Sequence, residues 1–176
     1  MRNIEMRPLV FIALSLLLSA CAGSSAPLAP QPARPVVPPE QRMAAVEAAA
    51  GQDDRELSVQ PLRDPQVEDL RQTAERARAA RDYARAGEAL NQALMIVAED
   101  PAVLQERAEI ALLQGDYERA ETLARRAYGL GSHTGPLCRR HWAVIEQSQL
   151  ARGGEQNAAS ARAQMANCTV PGIERY

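Results

Sequence analysis

Few residues in this chain are equipped for chemistry, and their spacing limits what that chemistry is. The candidates are three cysteines (Cys21, Cys138 and Cys168), two histidines (His133 and His141) and a scatter of carboxylates. His133 lies in a Gly-rich stretch (GLGSHTG) and His141 sits beside Trp142 in a helical one, with Cys138 between them. A metal centre needs three or four ligands converging on one point, and no carboxylates cluster there. We therefore expect His133 in a surface loop, His141 packed inside a helix, and no metal. No Gly-rich phosphate loop, Ser/His/Asp arrangement or isolated carboxylate pair is present. The formal charge is −2 with no basic tract, so nothing invites nucleic acid. Glu75, Glu109, Glu118 and Glu121 read as a solvated helix face or as contacts to a partner. A non-enzymatic, cofactor-free chain is the expectation.

The first cysteine has a context of its own. Met1 to Arg7 carries two Arg, and Leu9 to Leu18 is an apolar run too short to remain in a bilayer but suited to a cleaved leader. The run ends in Leu18-Ser19-Ala20-Cys21, which resembles the lipobox of bacterial lipoproteins. The resemblance implies removal of a signal peptide, residues 1–20, and lipidation of Cys21, with palmitate among its acyl chains. Several chains bind a membrane far more firmly than one. Ala22 stands where Asp commonly retains such proteins in the inner membrane, so the resemblance implies an outer-membrane anchor facing the periplasm. With Cys21 lipidated, Cys138 and Cys168 remain as an even pair in an oxidising compartment. They fall at the start and end of one helical hairpin, where antiparallel helices bring those ends together, so a disulfide is expected.

Residues 21–39 form the lipidated N-terminus and a tether. Six of the 18 residues from Ala22 to Pro39 are Pro, a composition that favours extended polyproline II and forbids a core. Residues 40–63 read as a short helix, opened by Pro39 and closed by Gly51, followed by an irregular linker. The folded domain is expected over 64–168, with a tail at 169–176.

Within 64–168 the chain matches itself at an offset of 34 residues, as in Leu70/Leu104, Glu75/Glu109, Asp82-Tyr83/Asp116-Tyr117, Ala86/Ala120 and Ala93/Ala127. Asp64-Pro65 and Asp100-Pro101 fit helix starts, Asp as N-cap and Pro at the first helical position. Apolar residues recur at helical spacing on both sides of Gln114-Gly115-Asp116-Tyr117, so each copy reads as a helical hairpin. The period and the Gly-Asp-Tyr turn resemble the tetratricopeptide repeat. A third, degenerate copy places Trp142 where that family prefers Trp, and Gly153-Gly154 at the turn. Glu155, however, replaces the aromatic residue of Tyr83 and Tyr117. The expected fold is all-α, a short solenoid of about three antiparallel hairpins.

In that family the first helices of the hairpins line a concave surface. Carried over, the resemblance implies partner-binding roles for Arg71, Glu75, Arg78, Gln105, Glu109, Leu112, Arg140, Gln147 and Leu150, with Leu112 and Leu150 as apolar anchors. Glu68 and Ala143 would lie among them. A long tether before a small repeat domain is similar to the repeat-containing activators of class A penicillin-binding proteins. The implied function is a membrane-anchored scaffold that activates or adapts a peptidoglycan synthase. The alternative is an assembly factor for an outer-membrane β-barrel or a type IV pilus secretin.

Overall fold

The computed structural model describes residues 36–51 and 64–169. Cys21, the apolar leader, most of the Pro-rich stretch, the linker after Gly51 and the C-terminal tail lie outside the described residues. Seven helices and no strands are seen among those described. They are α1 (Pro39–Ala50), α2 (Pro65–Ala79), α3 (Tyr83–Ile96), α4 (Pro101–Leu113), α5 (Tyr117–Leu130), α6 (Gly135–Ala151) and α7 (Glu155–Ala166). None of these is long and apolar enough to cross a membrane.

Four aspartates start four of the helices. Asp64 Oδ1 accepts from Gln66 N at 2.8 Å, Asp82 from Arg85 N at 3.0 Å and Asp116 from Arg119 N at 3.2 Å. Asp100 accepts from both Ala102 N and Val103 N. Each bond satisfies an amide that the first turn leaves without a helical partner. Gly115 and Gly153 end α4 and α6 with φ of 76° and 79°, the left-handed region in which glycine carries no steric penalty. At the matching turn after α2, Arg81 adopts φ of 60° despite its side chain.

The helices pair as α2/α3, α4/α5 and α6/α7, and successive hairpins stack through α3 on α4 and α5 on α6. Small residues set the close approach: Ala86, Ala93, Ala120, Ala124 and Ala127 are all fully buried. The middle helix α4 is surrounded. Every residue from Val103 to Leu113 is buried except Glu106, including the polar Gln105, Arg107 and Glu109. It therefore has no solvent stripe, unlike α2 and α5, which bury only one face.

The boundary expected at residue 64 is corrected by α1. This helix packs against α6 and α4, with Met43 and Val46 in the same core cluster as Leu112, Val144 and Ile145. Arg42 is also buried; its Nη1 donates to the Gln147 carbonyl at 3.3 Å, and its guanidinium lies 5.7 Å from the Tyr117 ring centroid. At the other end of α1, Arg139 donates from Nε (3.0 Å) and Nη2 (2.6 Å) to the Ala50 carbonyl, closing the helix C-terminus. The folded unit thus starts at α1. The helix is short, yet its buried positions, Arg42, Met43 and Val46, fall at i, i+1 and i+4 on one face that needs a partner surface.

Candidate functional site: a split face on the first helices

The first helices α2, α4 and α6 share one face, and α1 divides it. Over α4 and α6 the face is closed. Leu112 is fully buried, Gln105 is 1% exposed, and Gln147 is half-buried with its carbonyl bonded to Arg42. The expectation that Gln105 and Leu112 meet a partner is therefore corrected, because Leu112 is in the core and Gln105 is buried between Glu109 and His141. Leu150 is half-buried in the last turn of α6, and Ala143 is buried.

Between α2 and α4 the face is open. There a groove of about 330 Å³ is lined by Arg71, Glu75, Arg78, Glu109 and Arg140 from the expected set. Glu68, Gln72 and Glu106 join them, and Ala74, Leu90 and Ile110 form an apolar floor. Glu106 and Ile110 were missed in the sequence because the face was read from one position per helical turn, and Leu90 because it comes from α3, outside the first helices.

The charges in this groove answer one another. Arg71 forms a two-pronged pair with Glu106, its Nε donating to Oε2 at 2.9 Å and its Nη2 to Oε1, while its Nη1 donates to Glu68 at 2.8 Å. These bonds raise the Arg71 pKa, the Glu106 hydrogen bond most of all. Arg78 reaches Glu47 of α1 at 3.1 Å and Glu75 at 3.2 Å, so one guanidinium joins α2 to the helix that closes the other half.

Beneath the groove runs a buried polar chain. Arg140 Nε donates to Glu109 Oε1 at 2.8 Å, and its Nη2 donates to Oε2. Gln105 Nε2 donates to the same Oε1 at 2.9 Å, which leaves Gln105 Oε1 to accept from His141 Nδ1 at 2.6 Å. That arrangement sets the neutral His141 tautomer with its proton on Nδ1. Burial raises the Glu109 carboxyl above its usual range, against the pull of Arg140, Gln105 and Arg78. Burial, with Arg140 and His133, lowers His141 to about 4. Glu109 is thus part of the interior rather than of a solvated face. Glu121 is also mostly covered, held by Arg125, Arg152 and Gln149, whereas Glu75 and Glu118 are exposed.

His133 is exposed, stacked 4.4 Å from the Tyr128 ring, and its Nε2 lies 3.1 Å from the Tyr128 carbonyl oxygen. Tyr128 also faces Trp142 at 4.8 Å. No group of three or more metal-binding side chains occurs among the described residues. Cys138 and Cys168 are bridged with Cα atoms 5.7 Å apart, and Gly135 N donates to the Cys168 carbonyl at 2.8 Å beside them.

Fold and site together define an all-α domain of three stacked hairpins with a short N-terminal helix laid across the first-helix face. Neither a family model nor a curated protein matches the chain. Among solved structures, the globular C-terminal domain of P. aeruginosa LpoP is similar, with 30% sequence identity and a TM-score of 0.57, over 60% of this chain and 99% of that one. The folded part of the chain belongs to the same family as that domain.

Proposed function

We propose that this chain is a lipid-anchored periplasmic scaffold that activates or adapts a peptidoglycan synthase of the class A penicillin-binding type. The observation that carries the reading is the 30% identity to the LpoP C-terminal domain over almost the whole of that domain. It agrees with the lipobox-like Leu18-Ser19-Ala20-Cys21 and with the Pro-rich stretch that follows. A Pro-rich composition of this kind favours extended polyproline II, which at roughly 3.1 Å per residue would give a tether a reach on the order of 50 Å. The Cys138–Cys168 bridge suits an oxidising compartment. The domain contributes contact surface, and the synthase contributes the chemistry.

The test adds the purified mature chain to a purified class A penicillin-binding protein from the same bacterium and follows glycan-strand synthesis and cross-linking. A rise in either rate, together with direct binding, is expected. Neither binding nor stimulation would overturn the reading, and binding to a β-barrel or secretin component instead would favour an assembly role.

A further inference from the structure

The groove between α2 and α4 shows which charge its occupant must carry. We infer that this groove docks a basic amphipathic helix of the partner protein, lying beside α1 on the first-helix face; the inference rests on the scaffold reading above. Three observations lead to it.

The first is continuity. α1 already demonstrates that this face takes a helix: it seats Met43 and Val46 in the core and ties its edge down through Glu47 to Arg78. Arg78 also lines the open groove, so the two seats share a wall. The second is the floor. Ala74, Leu90 and Ile110 lie at its base, nearly buried in the core, and give a volume of about 330 Å³ a small apolar footing with room for one or two aliphatic side chains, in the way helix-in-groove recognition uses them.

The third is the direction in which the charges face. The groove arginines are tucked in and neutralised, with side chains only 17% (Arg71), 28% (Arg78) and 33% (Arg140) exposed. The outward carboxylates are Glu75 at 65% and Glu68 at 42%, with Glu47 of α1 at 51% across the shared wall. An acidic partner would have to break Arg71 from Glu106 or Arg140 from the buried Glu109, leaving a desolvated carboxylate behind. A basic partner would share Glu68, Glu75 and Glu47 with Arg71 and Arg78, which already pair with them, but these carboxylates are solvent-exposed and the sharing leaves no buried charge unpaired. Glu68 and Glu75 are seven residues apart on α2, two turns or roughly 10 Å, so Arg or Lys side chains two turns apart on a facing helix match them.

The experiment uses the full chain in its own cells. A photoreactive residue replaces the exposed, groove-lining Gln72, and the cross-linked partner peptide is read by mass spectrometry. Capture of a helical segment with at least two basic residues on one face is expected. Combining this with Glu68→Arg and Glu75→Arg lowers the yield roughly tenfold. The Glu68→Gln and Glu75→Gln pair gives a smaller loss, while Glu118→Arg on exposed α5 leaves the yield unchanged. Thermal melting of each variant separates loss of docking from loss of fold. Yield that is unmoved or raised by charge reversal, an acidic captured segment, a second copy of this chain as the captured species, or no capture from position 72 would each overturn the inference. The identity of the captured protein tests the scaffold reading separately. A basic helix from a protein other than a synthase supports the groove and sinks the function, whereas a synthase that binds but is never captured at position 72 does the reverse.

Discussion

The second and third hairpins solve the same packing problem with different materials. In the α4/α5 hairpin, Asp116 caps α5, Tyr117 packs partly buried against the core, and α4 is buried almost all round. In the α6/α7 hairpin, Gly154 and Glu155 stand at the corresponding positions, α7 starts without a side-chain cap, and only Ala158 and Ala161 of α7 are buried. What the third hairpin lacks in a cap and an aromatic residue it recovers through the Cys138–Cys168 bond at its open end. Small side chains give little area per residue, and a cross-link stabilises without needing any. A repeat can therefore drift from its pattern where a covalent bond restrains the unfolded chain instead.

The largest expected effect lies in the hairpin stabilised by packing. Leu112→Ala empties a fully buried site in α4 and should cost about 3–5 kcal/mol, measured by denaturant unfolding, with the whole domain losing stability together. Removing the disulfide with Cys138→Ala and Cys168→Ala should cost roughly 3–4 kcal/mol for a loop of this length. Here the loss should be local: hydrogen exchange should speed up in α7 before α4 and α5. Uniform loss across all three hairpins would erase the contrast between them.

A pH titration probes the seam where the two hairpins meet. His141 is fully buried and its pKa is lowered to about 4, so the unfolded chain binds the proton more readily than the folded one. Its contribution to stability is complete above its unfolded value near 6.5 and is lost as pH falls towards about 4. That amounts to about 3 kcal/mol at most. His141→Gln should flatten the slope of stability between pH 6.5 and 5, even if it lowers stability at pH 7. An unchanged slope would show that carboxylates alone set the acid limit.

Smaller effects sharpen the comparison at the turns. Asp116→Ala should cost about 1 kcal/mol through the lost cap. Arg81→Gly should stabilise the first hairpin by about 0.5–1 kcal/mol, because Arg81 holds at φ of 60° the place that Gly115 takes in the second. Both are read from thermal melting, and a destabilising Arg81→Gly would mean that the side chain makes up for its backbone strain.

The helix starts, the hairpin turns and the 34-residue offset were legible from the chain because they depend on neighbours within a few residues. Asp before a first turn, Gly after a last one and Ala at a close crossing each act locally. The cysteine pairing was also legible, since antiparallel helices place Cys138 and Cys168 at adjacent ends. The candidate site was only half legible. Arg71, Glu75, Arg78, Glu109 and Arg140 fall together along the groove, but Glu109 and Gln105 looked like surface residues and are almost wholly buried. Nothing in their immediate sequence distinguishes a carboxylate facing water from one facing Arg140, 31 residues away.

The amino-acid sequence by itself determined that this protein is built of helical hairpins, where each begins and ends, and which small residues let them stack, because backbone hydrogen bonding and helical periodicity are short-range. Tertiary structure alone decided where α1 lies. Its buried face, Met43 and Val46 with Arg42 beside them, calls for a partner surface without saying which, and that surface is supplied by α6 and α4. That choice closes one half of the first-helix face, where Leu112 is buried, and leaves the groove beside α2 as the open part.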